Sequence, residues 1–168
     1  STMLLNVRGE FCDDVDFANL EGDPDKLIHH IANTLAPITW LKSDNAHVLA
    51  TFTELDGSPA LFDSRNILIK ALQPLQAMGL KPVVANELEF YLIKSGDSAV
   101  PQPQLAKVPG TNVEQSGTQY AMPEDLWDND DFLEDVRKAC EVQNVPMTTV
   151  HSEFSPGQFE INLHHVDD

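Results

Sequence analysis

From Gln158 the chain alternates strictly, with Gln158, Glu160, Asn162 and His164 at one parity and Phe159, Ile161 and Leu163 at the other. Successive side chains leave opposite faces of a strand, so this pattern predicts a half-buried strand with a carboxylate, amides and an imidazole on its polar face. Pro156-Gly157 marks a turn just before it, which brings Glu153 back towards Glu160. The stretch Val83 to Ile93 has the same logic. There Glu87, Glu89 and Tyr91 share one face, and Leu88, Phe90 and Leu92 the other.

Two carboxylates two residues apart are poor choices for a plain core strand, because Glu is disfavoured in strands and like charges on one face repel. If both strands join one sheet, Glu87, Glu89, Glu153 and Glu160 can line one cavity. Hard divalent cations would relieve the repulsion, and so would raised pKa values and protonation. The plain alternative is an acidic protein that turns these residues to solvent from an antiparallel sheet, with no function attached.

Elsewhere the pattern is coarser. Met3–Val7 reads as a strand ending at Gly9, followed by an acidic loop over Asp13–Asp23 and a helix start at Asp23-Pro24. Leu27, Ile28, Ile31 and Leu35 predict a short amphipathic turn or helix, with His29 and His30 as surface or packing residues. Ile38–Leu41 and His47–Thr53 read as strands, and Asp56-Gly57 as a tight turn into Ala60–Phe62. A helix capped by Asp63 or Ser64 carries Leu68, Leu72, Leu75 and Met78 on one stripe and stops at Gly79. Residues 94–119 read as a long, partly mobile loop. A second helix starts at Asp130 or Asp131, burying Phe132, Leu133, Val136, Ala139 and Cys140. Pro146 then opens a strand, Met147–His151.

Composition narrows the function. At 168 residues and 42% hydrophobic, the chain has enough material for one medium domain or two small ones. A formal charge of −17 argues against nucleic acid or an anionic membrane as partner, and no apolar run reaches membrane-span length. The acidic run Glu124–Asp135 reads as solvated loop and helix start. Cys12 and Cys140 lie far apart without metal-ligand spacing, which favours a reduced, cytoplasmic setting; Cys140 on its apolar stripe reads as core.

The order of helix, Glu87-Leu88-Glu89-Phe90-Tyr91-Leu92, loop, helix and Glu153-Phe154-Ser155-Pro156-Gly157-Gln158-Phe159-Glu160 resembles the glutamine synthetase superfamily over nearly the whole chain. Trp40 through Asp63-Ser64-Arg65 resembles that family's passage from its small domain to its catalytic domain, with Ser64 where the family usually has Pro. Gln158–His165 is most similar to the γ-glutamylpolyamine (γ-glutamylputrescine) synthetase branch. The resemblance implies an α+β fold: 1–62 as the C-terminal part of a β-grasp-like domain, and 63–168 as the N-terminal part of the catalytic domain, truncated.

It also implies a chemistry. ATP phosphorylates the side-chain carboxylate of glutamate, and an amine, either a polyamine or ammonia, displaces the phosphate with two Mg²⁺ or Mn²⁺ ions in attendance. By position in the motifs, Glu89, Glu153 and Glu160 hold one ion, Glu87 helps to hold the other, and His151 lies towards the nucleotide. Later ligands of the family find no counterpart before Asp168, and Ser1-Thr2 stands where an initiating Met is usual. The expectation is therefore an internal fragment, inactive alone, whose parent is a homo-oligomer (a dodecamer in this family). A metal-binding or regulatory domain without catalysis is the rival reading.

Overall fold

The computed structural model describes residues 5–10, 12, 25–41 and 44–166. The acidic loop and helix start expected over Asp13–Pro24 lie outside them, as does the beginning of the strand expected at Met3. Residue contacts divide the chain into two units, one of residues 1–36 with 46–81 and one of 37–45 with 82–168.

In the first unit, β1 (Leu27–His30) pairs antiparallel with β4 (Ala50–Thr53), Leu27 opposite Thr53 and His30 opposite Ala50. The short amphipathic turn or helix expected over Leu27–Leu35 is thus a strand over Leu27–His30, followed by a turn. Its apolar spacing fits either period over so short a run, and Asn33, at φ 64°, turns the chain before a helix could extend. His29 is a cross-strand residue, its Nε2 2.9 Å from Thr53 Oγ1. The strand expected over His47–Thr53 is split between β3 (Ala46–His47) and β4. The one expected over Ile38–Leu41 does not form: β2 (Ala36–Pro37) ends before it, and Thr39–Trp40 make a turn.

Asp56-Gly57 makes the expected turn, with Asp56 Oδ1 accepting from Ser58 N (2.9 Å) and Oγ (2.6 Å). Helix α1 (Ser64–Ala77) begins at Asp63, whose carboxylate accepts from Arg65 N (2.9 Å), Phe52 N (2.8 Å) and Thr51 Oγ1 (2.5 Å). One side chain thus caps the helix and ties it to β4. Those bonds, Thr51's foremost, hold the Asp63 carboxyl below its ordinary range.

The second unit is built on a three-stranded antiparallel sheet in the order β5 (Glu87–Tyr91), β7 (Gln158–Leu163), β6 (Met147–Ser152). Phe159 and Ile161 are buried on its apolar face, where Phe90 stacks on Phe159 (6.0 Å between centroids) and meets Phe132 edge-on (6.1 Å). Phe132 belongs to α3 (Asp130–Gln143), the helix expected there, which ends at Asn144 in the left-handed conformation. A short helix, α2 (Pro123–Asp128), precedes it within the run read as solvated. That run is not all solvated: Asp125 is completely buried. The segment 94–119 has a defined course, with bridges Ile93 to Pro103 and Lys107 to Glu114, and ends in the buried Gln119.

Candidate metal centre

Because β7 is the central strand, its polar face has neighbours on both sides. Glu160 lies opposite Glu89 of β5 and opposite His151 of β6. One step along, Glu87 faces Asn162; in the other direction Tyr91 faces Gln158. The alternation visible in the sequence is therefore realised as rows running across three strands. Glu153 follows β6 directly, and its N–H donates to Gln158 O (2.8 Å), which keeps it beside the same face.

The turn between β6 and β7 depends on Gly157. Its φ is +75°, and a Cβ there would sit 2.9 Å from Gln104 O, 3.1 Å from Leu92 O and 3.1 Å from Pro103 Cβ. Its O accepts from Leu92 N (2.9 Å), and its N–H donates to Gln119 Oε1 (3.1 Å). Gln119 Nε2 also donates to Gln158 O (3.1 Å). This buried amide therefore fastens the β7 side of the turn that sets the spacing of Glu153 and Glu160. Ser152 Oγ, also buried, lies 3.0 Å from Gln119 O and 2.9 Å from Met122 O. Neither Gln119 nor Ser152 carried a sequence signal, since a polar residue at the end of a polar loop looks solvated until the fold buries it.

His151 Nδ1 is 3.4 Å from Glu153 Oε1, and its Nε2 is 3.6 Å from Glu160 Oε1. One donor atom from each of His151, Glu153 and Glu160 lies within 4.8 Å of the others. Glu160 is buried, and its carboxyl is pushed above the ordinary range, first by that burial, then by a hydrogen bond shared with Glu153. The charges of Glu87 and Glu153 raise it further, and His151 opposes them. Two carboxylates and an imidazole form a donor set suited to a hard or borderline divalent ion such as Mg²⁺ or Mn²⁺, which would neutralise that repulsion.

The other two candidates stand apart from this trio. Glu89 Oε2 accepts from Gln158 Nε2 (2.6 Å), while Gln158 Oε1 accepts from Tyr91 OH (3.2 Å). Glu87 is exposed, one pair further along the sheet. All five residues share the face; His151, Glu153 and Glu160 bring their donor atoms together, while Glu89, opposite Glu160, has its carboxylate bonded to Gln158.

Glu89 and Glu160 thus oppose each other across β5 and β7, while the Pro-Gly turn joins β6 to β7. Residues 61–168 match the family model described as glutamine synthetase, catalytic domain. The chain belongs to that family, whose members are ligases. It is 32% identical over 99% of its length to γ-glutamylputrescine synthetase PuuA of Escherichia coli K12, and 29% identical over 96% to glutamate–isopropylamine ligase of a Pseudomonas species. It covers 35% of each. Identity to Mycobacterium tuberculosis glutamine synthetase is 28%, with 96% of this chain and 36% of that protein covered. The fold superposes on the cryo-electron-microscopy structure of Plasmodium falciparum glutamine synthetase with a TM-score of 0.66 at 16% identity, over 92% of this chain and 34% of that one. The chain thus spans about a third of the length of the relatives it matches.

Proposed function

We propose that this chain carries the metal-holding face of an ATP-dependent carboxylate–amine ligase, which forms a γ-glutamyl amide through γ-glutamyl phosphate. The observation behind this reading is the row Glu89, Glu160, His151 with Glu153 beside it, in a chain whose residues 61–168 match the glutamine synthetase catalytic domain. His151, Glu153 and Glu160 would hold one divalent ion, with Glu89 one strand away and Glu87 towards a second. Such ions supply electrostatic stabilisation of the charge that develops on the transferring phosphoryl group. The chain's own part is to fix these donors: Gln119 and Gly157 set the turn, and Gln158 orients Glu89. His151, between the carboxylates, also faces the nucleotide side.

The acceptor in this reading is an organic amine, a polyamine such as putrescine. The relatives named for γ-glutamylputrescine and for isopropylamine support it. Glutamate, ATP, a homo-oligomeric parent and a cytoplasmic setting belong to the same proposal, as does the boundary at 62/63 between a β-grasp-like part and the catalytic part. The identity to glutamine synthetases favours ammonia as the second candidate acceptor.

The test is ATP-dependent phosphate release by the protein that contains this chain, with glutamate, Mg²⁺ and a panel of ammonium, putrescine and isopropylamine. Release with amines and only weakly with ammonium is the expected result. Release with ammonium alone would move the assignment to glutamine synthetase. Silence with metal still bound would leave a non-catalytic, metal-binding domain.

A further inference from the structure

The loop between β4 and α1 carries Asp56-Gly57, a pair open to spontaneous rearrangement because glycine puts no Cβ in the way of ring closure. The chemistry needs only water. Gly57 N attacks Asp56 Cγ: an N–Cγ bond forms, a Cγ–O bond breaks, and the carboxyl hydroxyl leaves as water with the amide proton. The cyclic imide then takes up water at either carbonyl carbon. Opening at the main-chain carbonyl leaves Gly57 joined through the Asp56 side chain, an isoaspartyl link with an extra carbon in the main chain.

Asp56, Gly57 and Ser58 are all exposed, so burial protects none of them. The fold instead restrains the reacting atoms from both sides. Asp56 Oδ1 accepts from Ser58 Oγ (2.6 Å) and Ser58 N (2.9 Å), which draws the carboxylate past Gly57 to the residue beyond. Ser58, through its hydroxyl first and its N–H second, holds the Asp56 carboxyl below the ordinary range. An ionised carboxylate has no hydroxyl to lose and is a poor electrophile. On the other side, Gly57 N–H donates to Glu54 O (3.0 Å), and Glu54 N–H to Ser58 O (2.8 Å), so the attacking nitrogen is committed elsewhere within a closed loop. Asp97-Ser98, also exposed, is arranged differently: Ser98 Oγ donates to Val100 O (2.7 Å).

We propose that Asp56-Gly57 is a latent isoaspartate site and that Ser58 is the residue that keeps it closed. It stands apart from the metal centre and owes nothing to the ligase reading. Its consequence would be felt at α1. Thr53 bridges Pro59, Ala60 N–H donates to Phe52 O (3.2 Å), and Asp63 N–H, at the cap of α1, donates to Ala60 O (3.3 Å). An extra carbon between Asp56 and Gly57 lengthens the loop on which this register depends.

The protein containing this chain is stored at neutral pH and body temperature beside its S58A and S58T variants. Isoaspartate is then located by peptide mapping with fragmentation that distinguishes the two linkages. Having lost one hydrogen bond to the carboxylate, S58A should form isoaspartate at Asp56 about fivefold faster than the unsubstituted protein. S58T, which keeps the hydroxyl, should match the unsubstituted rate, and Asp97 should be unchanged in all three. Equal rates at Asp56 in S58A and the unsubstituted protein overturn the proposal, as does a rate in S58T as high as in S58A. A rise at Asp56 and Asp97 together would be general loosening of the protein and overturns it too.

Discussion

Asp125 is the residue whose burial is hardest to reconcile with its charge. It is completely buried, and its side-chain oxygens make no well-formed hydrogen bond, with the Ala106 backbone giving only partial relief. Burial pushes its carboxyl up to about 6, with the charges of Asp128 and Glu124 adding to the effect. A carboxyl whose folded pKa lies above its unfolded value carries no penalty below about pH 4, where both states are protonated. The penalty grows as pH rises from about 4 to about 6, where only the unfolded chain has released the proton, and stays constant above. Asp125→Asn should therefore stabilise the protein at pH 8 by roughly 2 kcal/mol and leave it unchanged near pH 4, as read by urea denaturation at both values. A gain equal at the two pH values would mean that packing, not ionisation, sets the effect. Nothing in Glu124-Asp125-Leu126 announces this burial. The acidic run reads as solvated because sequence records charge, whereas the fold decides that α2 turns one member inward.

The β6–β7 hairpin was legible at the level of the element, and for a physical reason. Period-two alternation and a Pro-Gly turn are local signals, and β7 in the centre of the sheet realises both. The apolar spacing of Leu27–Leu35 does not reveal its strand, because the preference of Leu27–His30 comes from pairing with β4, some twenty residues away, which no local window contains. Within the hairpin, Gly157→Ala should be severe. It places a Cβ 2.9 Å from a backbone oxygen at a φ that L-residues seldom adopt, so a loss of about 3 kcal/mol is expected by denaturation. Divalent-ion affinity should fall with it, since Glu153 and Glu160 are spaced by that turn. Gly157→Ala with unchanged Mn²⁺ affinity would show that the turn does not set the donor geometry. Sequence could flag the glycine as a turn residue, but not the Gln119 amide that holds it.

Across the whole molecule, the excess of negative charge makes the compact state repel itself, and four of the 27 acidic residues share one sheet face. Mn²⁺ should raise the melting temperature by several degrees more than NaCl of equal ionic strength, and Glu160→Gln should abolish the excess. An equal response to both salts would mean general screening only. The three closest donors, His151, Glu153 and Glu160, all fall within residues 151–160. A loop that short loses little chain entropy when its ends meet. Ion capture and hairpin closure can therefore be one early, local event, and the closed hairpin a nucleus on which slower, longer-range contacts, those of Gln119 among them, condense.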